Sequence, residues 1–412
     1  MPLVNMKDMV DHAYRHNYAV GAFAVVNLEF LQGVMAAAER CRAPVILGLQ
    51  ESPSESFDFD LLVSAVEAAA QRACVPVAIH MHHGNDIDSA VRAINRGCNG
   101  VMVDASHREL GDNIELTRAV VAMARDCGVP VEASLGFVPE AEGDGTQPDA
   151  GEIAHTSVAE ASGYVEKTGV DFLAVSIGTV RGRTRAKPKL NWQRLKQINE
   201  ALGIPLAIYG GSGLNDSQYG RLIANGVAKI DFYAALAEAA FEQVRSSTKG
   251  GAGGRYATAM RAVREAVENE TEHFMRVCGA AGRAAEVLEQ CRHWTPVEHI
   301  VTQNVQGMTD RDVEALMEEG RRVLSTIPGV LGVCAASVVR DDEIYRCSWM
   351  VRFCHSAAVD SYREHPDYLT LASRRPRSAP YGGLDARRTS WGSGNVPPSA
   401  SRPGRVPQHS RG

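Results

Sequence analysis

The stretch AIHMHHGND (78–86) places His80, His82 and His83 within four positions, directly after an apolar run. Imidazoles so clustered can do two kinds of chemistry. Neutral rings ligate a divalent cation, and a ring titrating near neutrality can carry a proton as a general acid/base. Further on, PVEASLG (130–136) carries Glu132 and Ser134, and YGGSGLND (209–216) offers Tyr209, then Gly210, Gly211, Ser212 and Gly213, before Asp216, a helix-capping residue type. Backbone N–H groups free of side chains can wrap an anion there. The segment GTVRGRTRAKPKL (178–190) brings Arg181, Arg183, Arg185, Lys187 and Lys189 together, with Gly182 leaving room for a ligand at the backbone. Either segment alone reads as a tight turn or a solvated basic loop. Side by side they point to phosphate or carboxylate binding, with Arg185 as the first choice of charge partner.

These residues need a scaffold that brings them to one place. Short apolar or β-branched runs recur at 19–25, 44–49, 76–81, 100–106, 130–136, 171–178, 205–210 and 227–233. Between them lie segments with apolar residues at helical spacing, such as LEFLQGVMAAAERC and DNIELTRAVVAMARDCG, several ending in Gly. Eight alternations of strand and helix predict an α/β fold, a (β/α)8 TIM barrel; an open doubly wound sheet is the alternative. In such a barrel, chemistry sits where strands end. That rule selects His80, His82 and His83, Asp104 to His107, Glu132 and Ser134, Ser176 to Arg185, Tyr209 to Gly213, and Asp231 to Ala234 as a ring around one mouth.

At 412 residues the chain exceeds a single large core, so a second, smaller domain is expected. Hydrophobic residues at 45% and charged residues at 22% are globular composition, and no apolar run approaches a membrane span. The N-terminus lacks a signal pattern, and nine cysteines scattered without CxxC pairs fit a reducing compartment. A cytoplasmic protein with neither membrane nor nucleic-acid partners is expected. The formal charge of −6 hides an asymmetry: from Ser373 onward eight arginines face a single acid, which leaves about −13 on the rest.

The opening MPLVNMKDMVDHAYRHNYAVGAF, the strands PVILG and VMVDASH, and the ending CGAAGRA resemble the class II fructose-bisphosphate and tagatose-bisphosphate aldolases over residues 1 to about 290. The resemblance implies a carbon–carbon lyase acting on a small phosphorylated ketose. It also implies a divalent metal, usually zinc, held by three histidines, with an aspartate moving the proton. The family's HLDHG matches His80 to Gly84, so His83 falls on a ligand position and His82 replaces the aspartate. The S-V-H-G and H-G-G-[ST]-G patterns match Thr179 to Gly182 and Tyr209 to Gly213, so Arg181 and Tyr209 stand where the other two ligands belong. A glutamate of VEAELG becomes Ser134, while Glu132 is kept. Arg181 near such a site would repel a divalent ion by roughly 8 kcal/mol at 4 Å and an effective dielectric of 20. On the anion side, Gly182, Gly210, Ser212 and Gly213 match phosphate contacts, Arg185 takes a lysine's place, and Asp231 stands in the strand pattern that touches substrate.

Three readings follow. In the first, an aldolase-type lyase works without the tri-histidine zinc, with Arg181 as electrophile, His82 as acid/base and Tyr209 as donor. In the second, a phosphate-ester-binding or regulatory protein keeps the pocket without catalysis. In the third, His80, His82, His83 and Glu132 hold a remodelled metal site. Lys229 invites a Schiff-base reading, but the family carries a lysine in that context without such a role.

Beyond residue 292 the pattern changes to β-α-β-β-α, a small ferredoxin-like α+β domain. Its HI opening, IPGV turn and SYREHPDY ending resemble the stress-responsive dimeric α/β-barrel (Dabb) domains. The organisation expected is thus a barrel over 1–292, a second domain over 293–372, whose family pairs as homodimers, and a disordered basic tail over 373–412. That tail carries no final strand, and a reading-frame shift would produce the same abrupt change.

Overall fold

The computed structural model describes residues 2–50, 58–136, 138, 155–180, 189–249, 256–303, 307–337, 347–373 and 382–387. Eight parallel strands close into a barrel: β1 (Val20–Ala24), β2 (Val45–Gln50), β3 (Val77–Gly84), β4 (Gly100–Val103), β5 (Val131–Leu135), β6 (Phe172–Val175), β7 (Leu206–Ile208) and β8 (Val227–Phe232). Pairing of β1 with β8, Ala22 level with Asp231, makes the closure and rules out the open sheet. All eight predicted runs contain a strand; the fourth is shortened to Gly100–Val103, because Asp104 to His107 already turn into the next loop.

Helix α1 (Met6–Arg15) precedes the barrel and buries Met6, Met9, Val10 and Ala13. Between strands run α2 (Leu28–Cys41), α3 (Phe59–Arg72), α4 (Ile87–Asn95), α5 (Leu110–Asp126), α6 (Val158–Thr168), α7 (Trp192–Leu202) and α8 (Asp216–Ile223). After β8 come α9 (Ala234–Lys249), α10 (Tyr256–Val277) and α11 (Ala284–Gln290). Local chemistry sets their ends: Asp86, Ser157 and Asn215 close capping boxes at α4, α6 and α8, and Gly169 and Gly203 stop α6 and α7 in the left-handed conformation. Phe232 joins barrel to shell, stacked between Phe23 at 5.3 Å and Phe274 at 4.0 Å.

The remaining strands form an antiparallel sheet in the order β10-β11-β9-β12, from β9 (Val297–Gln303), β10 (Val330–Ser337), β11 (Cys347–Phe353) and β12 (Gly382–Arg387). Alternation is clean along β9, where Val297, His299 and Val301 are buried and Ile300 is exposed. The buried face, with Trp349, Val351 and Phe353, packs on α12 (Asp310–Leu324), α13 (Ser356–Glu364) and α14 (Pro366–Ser373). Helix α13 ends at His365 because the residue before a proline is pushed out of the helical region, and Pro366 starts α14.

One expectation is corrected here. The segment after residue 373 was read as a tail without a final strand, yet Gly382–Arg387 pairs along β9, from Val297 to Thr302. A Pro-, Gly- and Arg-rich segment carries no alternation to announce a strand. The edge of β9 exposes unpaired N–H and C=O groups that recruit one through the backbone alone. This sheet lies against the barrel's outer helices: Asn95 Oδ1 accepts from the Gly329 N–H at 2.8 Å, Arg352 pairs with Glu67 at 2.9 Å, and Trp294 stacks on His355 at 4.6 Å. No helix among the described residues is long and apolar enough to cross a membrane.

Candidate active site

Strand β3 delivers the histidines. His80 and His82 share one side of the strand and are buried, with ring centroids 4.8 Å apart. A regular strand would send His83 to the opposite side. Instead its φ is +54°, a left-handed conformation costing a non-glycine residue about 1–2 kcal/mol, and the register against β4 shifts between Met81 and Gly84. This kink brings His83 Nδ1 to 2.7 Å from Asp104 Oδ2 and its ring to 5.1 Å from Tyr209. Asp104 also accepts from Ser106 Oγ at 2.7 Å, so the carboxylate is held from two directions.

Deeper in the barrel a polar chain crosses between strands. The Tyr209 hydroxyl, just past β7, donates to Glu132 Oε1 on β5 at 2.5 Å. Lys229 Nζ, on β8 and fully buried, lies 3.0 Å from Glu132 Oε2, donates to Asp231 Oδ2 at 2.6 Å and sits 3.3 Å from the Tyr209 hydroxyl. Asp231 Oδ1 in turn lies 3.1 Å from His82 Nε2. Burial pushes the Tyr209 phenol well above its ordinary pKa, and Asp231 and Glu132 add to the effect, so it stays a neutral donor. Burial alone would lower the Lys229 pKa, but Asp231 and Glu132 outweigh it and the ammonium persists.

Of the predicted residues, His80, His82, His83, Glu132, Tyr209 and Asp231 converge. Gly210 takes a left-handed φ of +75°, and a side chain there would strike the Val180 carbonyl, so the loops after β6 and β7 cross at this glycine. Gly211–Gly213 form one 3-10 turn, with the Gly211 carbonyl accepting from the Tyr219 hydroxyl at 2.6 Å. Ser134 is buried on β5, and His107 is exposed. Arg181, Gly182 and Arg185 lie outside the described residues. Among the described residues, no three His, Cys, Asp or Glu side chains form a group that could hold a metal ion.

Sequence reasoning put Lys229 aside and gave Asp104 no role beyond its place in the ring. It also missed Gly48, on β2, where a Cβ would come within 2.5 Å of His82 Cε1. Gly48→Ala is therefore expected to keep the fold while displacing the imidazole. Displacements near 1 Å cost about a hundredfold in rate, and steady-state kinetics beside a melting curve separates that loss from unfolding. The only sequence signal was a glycine inside an apolar strand, which marks a close approach.

Full burial, then Lys229 and His83, drive the His80 pKa well below the ordinary 6.5. The folded state therefore holds His80 neutral while the unfolded chain takes up a proton. Its contribution to stability is full above pH 6.5 and falls as the solution is acidified below that, by at most about 1.4 kcal/mol per pH unit. Urea midpoints at pH 7 and 5.5 should show this fall, and His80→Gln should flatten it.

The family model "Fructose-bisphosphate aldolase class-II" matches residues 4–283. The fructose-bisphosphate aldolase of Staphylococcus epidermidis is 38% identical over 234 residues, 56% of this chain and 81% of that one. The probable fructose-bisphosphate aldolase of Bacillus subtilis has the same identity and coverage. Among solved structures, the YdjI aldolase of Escherichia coli K12 superposes with a TM-score of 0.62 at 31% identity, covering 68% of this chain and 99% of its own.

Proposed function

Because this chain belongs to the class II fructose-bisphosphate aldolase family, we propose that it is an aldolase-type carbon–carbon lyase acting on a small phosphorylated or otherwise anionic ketose. The observation that carries the reading is the convergence of His82, His83, Tyr209 and Asp231 at the strand ends of a barrel from that family. In the cleavage direction His82 takes the proton of the hydroxyl next to the breaking bond. The bond's electron pair moves into the neighbouring carbonyl, an aldehyde leaves, and the proton returns to carbon. The developing oxyanion is met by the Arg181 guanidinium and by the Tyr209 hydroxyl, which exchanges its bond to Glu132 Oε1 for one to the substrate, and the phosphate by Gly182, Arg185 and the 210–213 turn.

In the family a divalent metal supplies the oxyanion stabilisation. The residues present do not fit one. Of the three ligand positions only His83 remains an imidazole. Tyr209 is a neutral phenol engaged by Glu132, and the Lys229 ammonium lies 3.3 Å from its hydroxyl. A divalent cation there would face a fixed positive charge at close range.

The test is release of a triose phosphate from a panel of ketose phosphates, with and without prior chelation, beside Arg181→Ala. Turnover unchanged by chelator and lost in Arg181→Ala is expected. Absence of turnover with retained phosphate-ester binding would favour the non-catalytic reading. Near-stoichiometric zinc that disappears in His83→Ala would instead establish a remodelled metal site.

Residues 293–372 we read as a ferredoxin-like unit of the dimeric α/β-barrel type. The antiparallel order β10-β11-β9 with α12 and α13 on one face supports this, as does the order of elements along the chain. A homodimer, testable by sedimentation, and a reducing cytoplasmic location complete the reading. Eight cysteines are free among the described residues, which suits that compartment.

A further inference from the structure

The chain of contacts Tyr209–Glu132–Lys229–Asp231–His82 has one cation at its centre. Lys229 Nζ touches both carboxylates, and the other oxygen of each faces a residue proposed to act on substrate: Glu132 Oε1 accepts from the Tyr209 hydroxyl, and Asp231 Oδ1 lies 3.1 Å from His82 Nε2, close enough for an ion pair with a protonated ring but without hydrogen-bond geometry. The two carboxylates come from β5 and β8, strands separated in the barrel by β6 and β7, and neither could be buried as an anion without a counter-charge. Lys229 is 0% exposed, sealed from the mouth by the groups it binds, so it is no candidate to touch substrate. We infer that Lys229 is a positioning residue that fixes Asp231, and through it the His82 ring, for proton transfer. This rests on the aldolase reading above.

The alternative is that Lys229 merely neutralises buried charge. The two differ in how losses combine. If Lys229 acts through Asp231, then removing either breaks the same link, and the double variant is no worse than the worse single one. If it only neutralises charge, Lys229→Met lowers stability and leaves the kcat of the folded protein unchanged.

The experiment uses the full chain with Asp231→Asn, Lys229→Met and Lys229→Met/Asp231→Asn. The double variant removes one ammonium and one carboxylate together, which keeps a folded protein available if Lys229→Met alone does not fold. On a ketose phosphate that the unaltered protein cleaves, we expect Asp231→Asn to lower kcat by about a hundredfold with KM little changed. The double variant should fall to the same level. An unaltered kcat in Asp231→Asn or in Lys229→Met, or in the charge-keeping Lys229→Arg where Lys229→Met does not fold, would overturn the inference, as would a multiplicative loss in the double variant. If the unaltered protein cleaves nothing on the panel, the aldolase reading fails, and Lys229 is judged by the ring nitrogen-15 shifts of His82. Those shifts should change in Lys229→Met, or in Lys229→Arg where the former does not fold, relative to the unaltered protein, and identical shifts would overturn the positioning role.

Discussion

His82→Asn is expected to lower kcat by about a hundred- to ten-thousandfold, the range general acid/base groups contribute, while KM and the melting temperature change little. The ring sits where proton transfer is needed, 7% exposed at the mouth end of β3, with Asp231 3.1 Å behind Nε2 and the Gly48 backbone against its edge. The Asn amide reaches only to the level of Nδ1, short of the Nε2 position beside Asp231, and cannot accept and return a proton near neutrality. A kcat loss below tenfold, measured on a ketose phosphate that the unaltered protein cleaves, would move the acid/base role elsewhere, with His83 and its partner Asp104 next in line.

Lys229→Met is expected to destabilise the barrel by about 3–5 kcal/mol, the cost of removing one partner from a buried ionic group. Methionine fills most of the volume, so the loss is electrostatic: Glu132 and Asp231 remain buried and face one another without the ammonium. The sign of the pH dependence follows. The folded Lys229 pKa is raised above the ordinary 10.5, so its contribution is complete at neutral pH and is lost only as pH rises through the raised value, far on the alkaline side. Chemical denaturation at pH 7 should therefore show the full deficit, and adding Asp231→Asn should recover part of it. Equal stability of Lys229→Met and the unaltered protein would mean that the carboxylates are held by other groups.

The fold was largely legible before any coordinates. Eight apolar runs separated by helical spacing are local patterns, and each became a strand because burial on both faces of a parallel sheet demands such a run. The glycines of YGGSG were legible for a similar reason, since Gly210 adopts a conformation that side chains resist. His83 was legible as a residue but not as a geometry. Alternation placed it opposite His82, and only its left-handed φ turns it toward Asp104 and Tyr209. The edge strand β12 was missed because its pairing with β9 uses backbone groups that every residue carries.

By itself the sequence determined the order of strands, the family and the losses at the ligand positions, because these depend on residue identity and spacing along the chain. Tertiary structure alone decided that Lys229 is a bridge between carboxylates and that Gly48 is the wall behind His82. It also decided that Asp231, expected at the substrate, turns inward to Lys229 and His82. The reason is register. Met102 lies level with Glu132, and Ala207 with Lys229, through the stagger by which eight tilted strands close. That stagger is a property of the whole ring, and no single segment of the chain carries it.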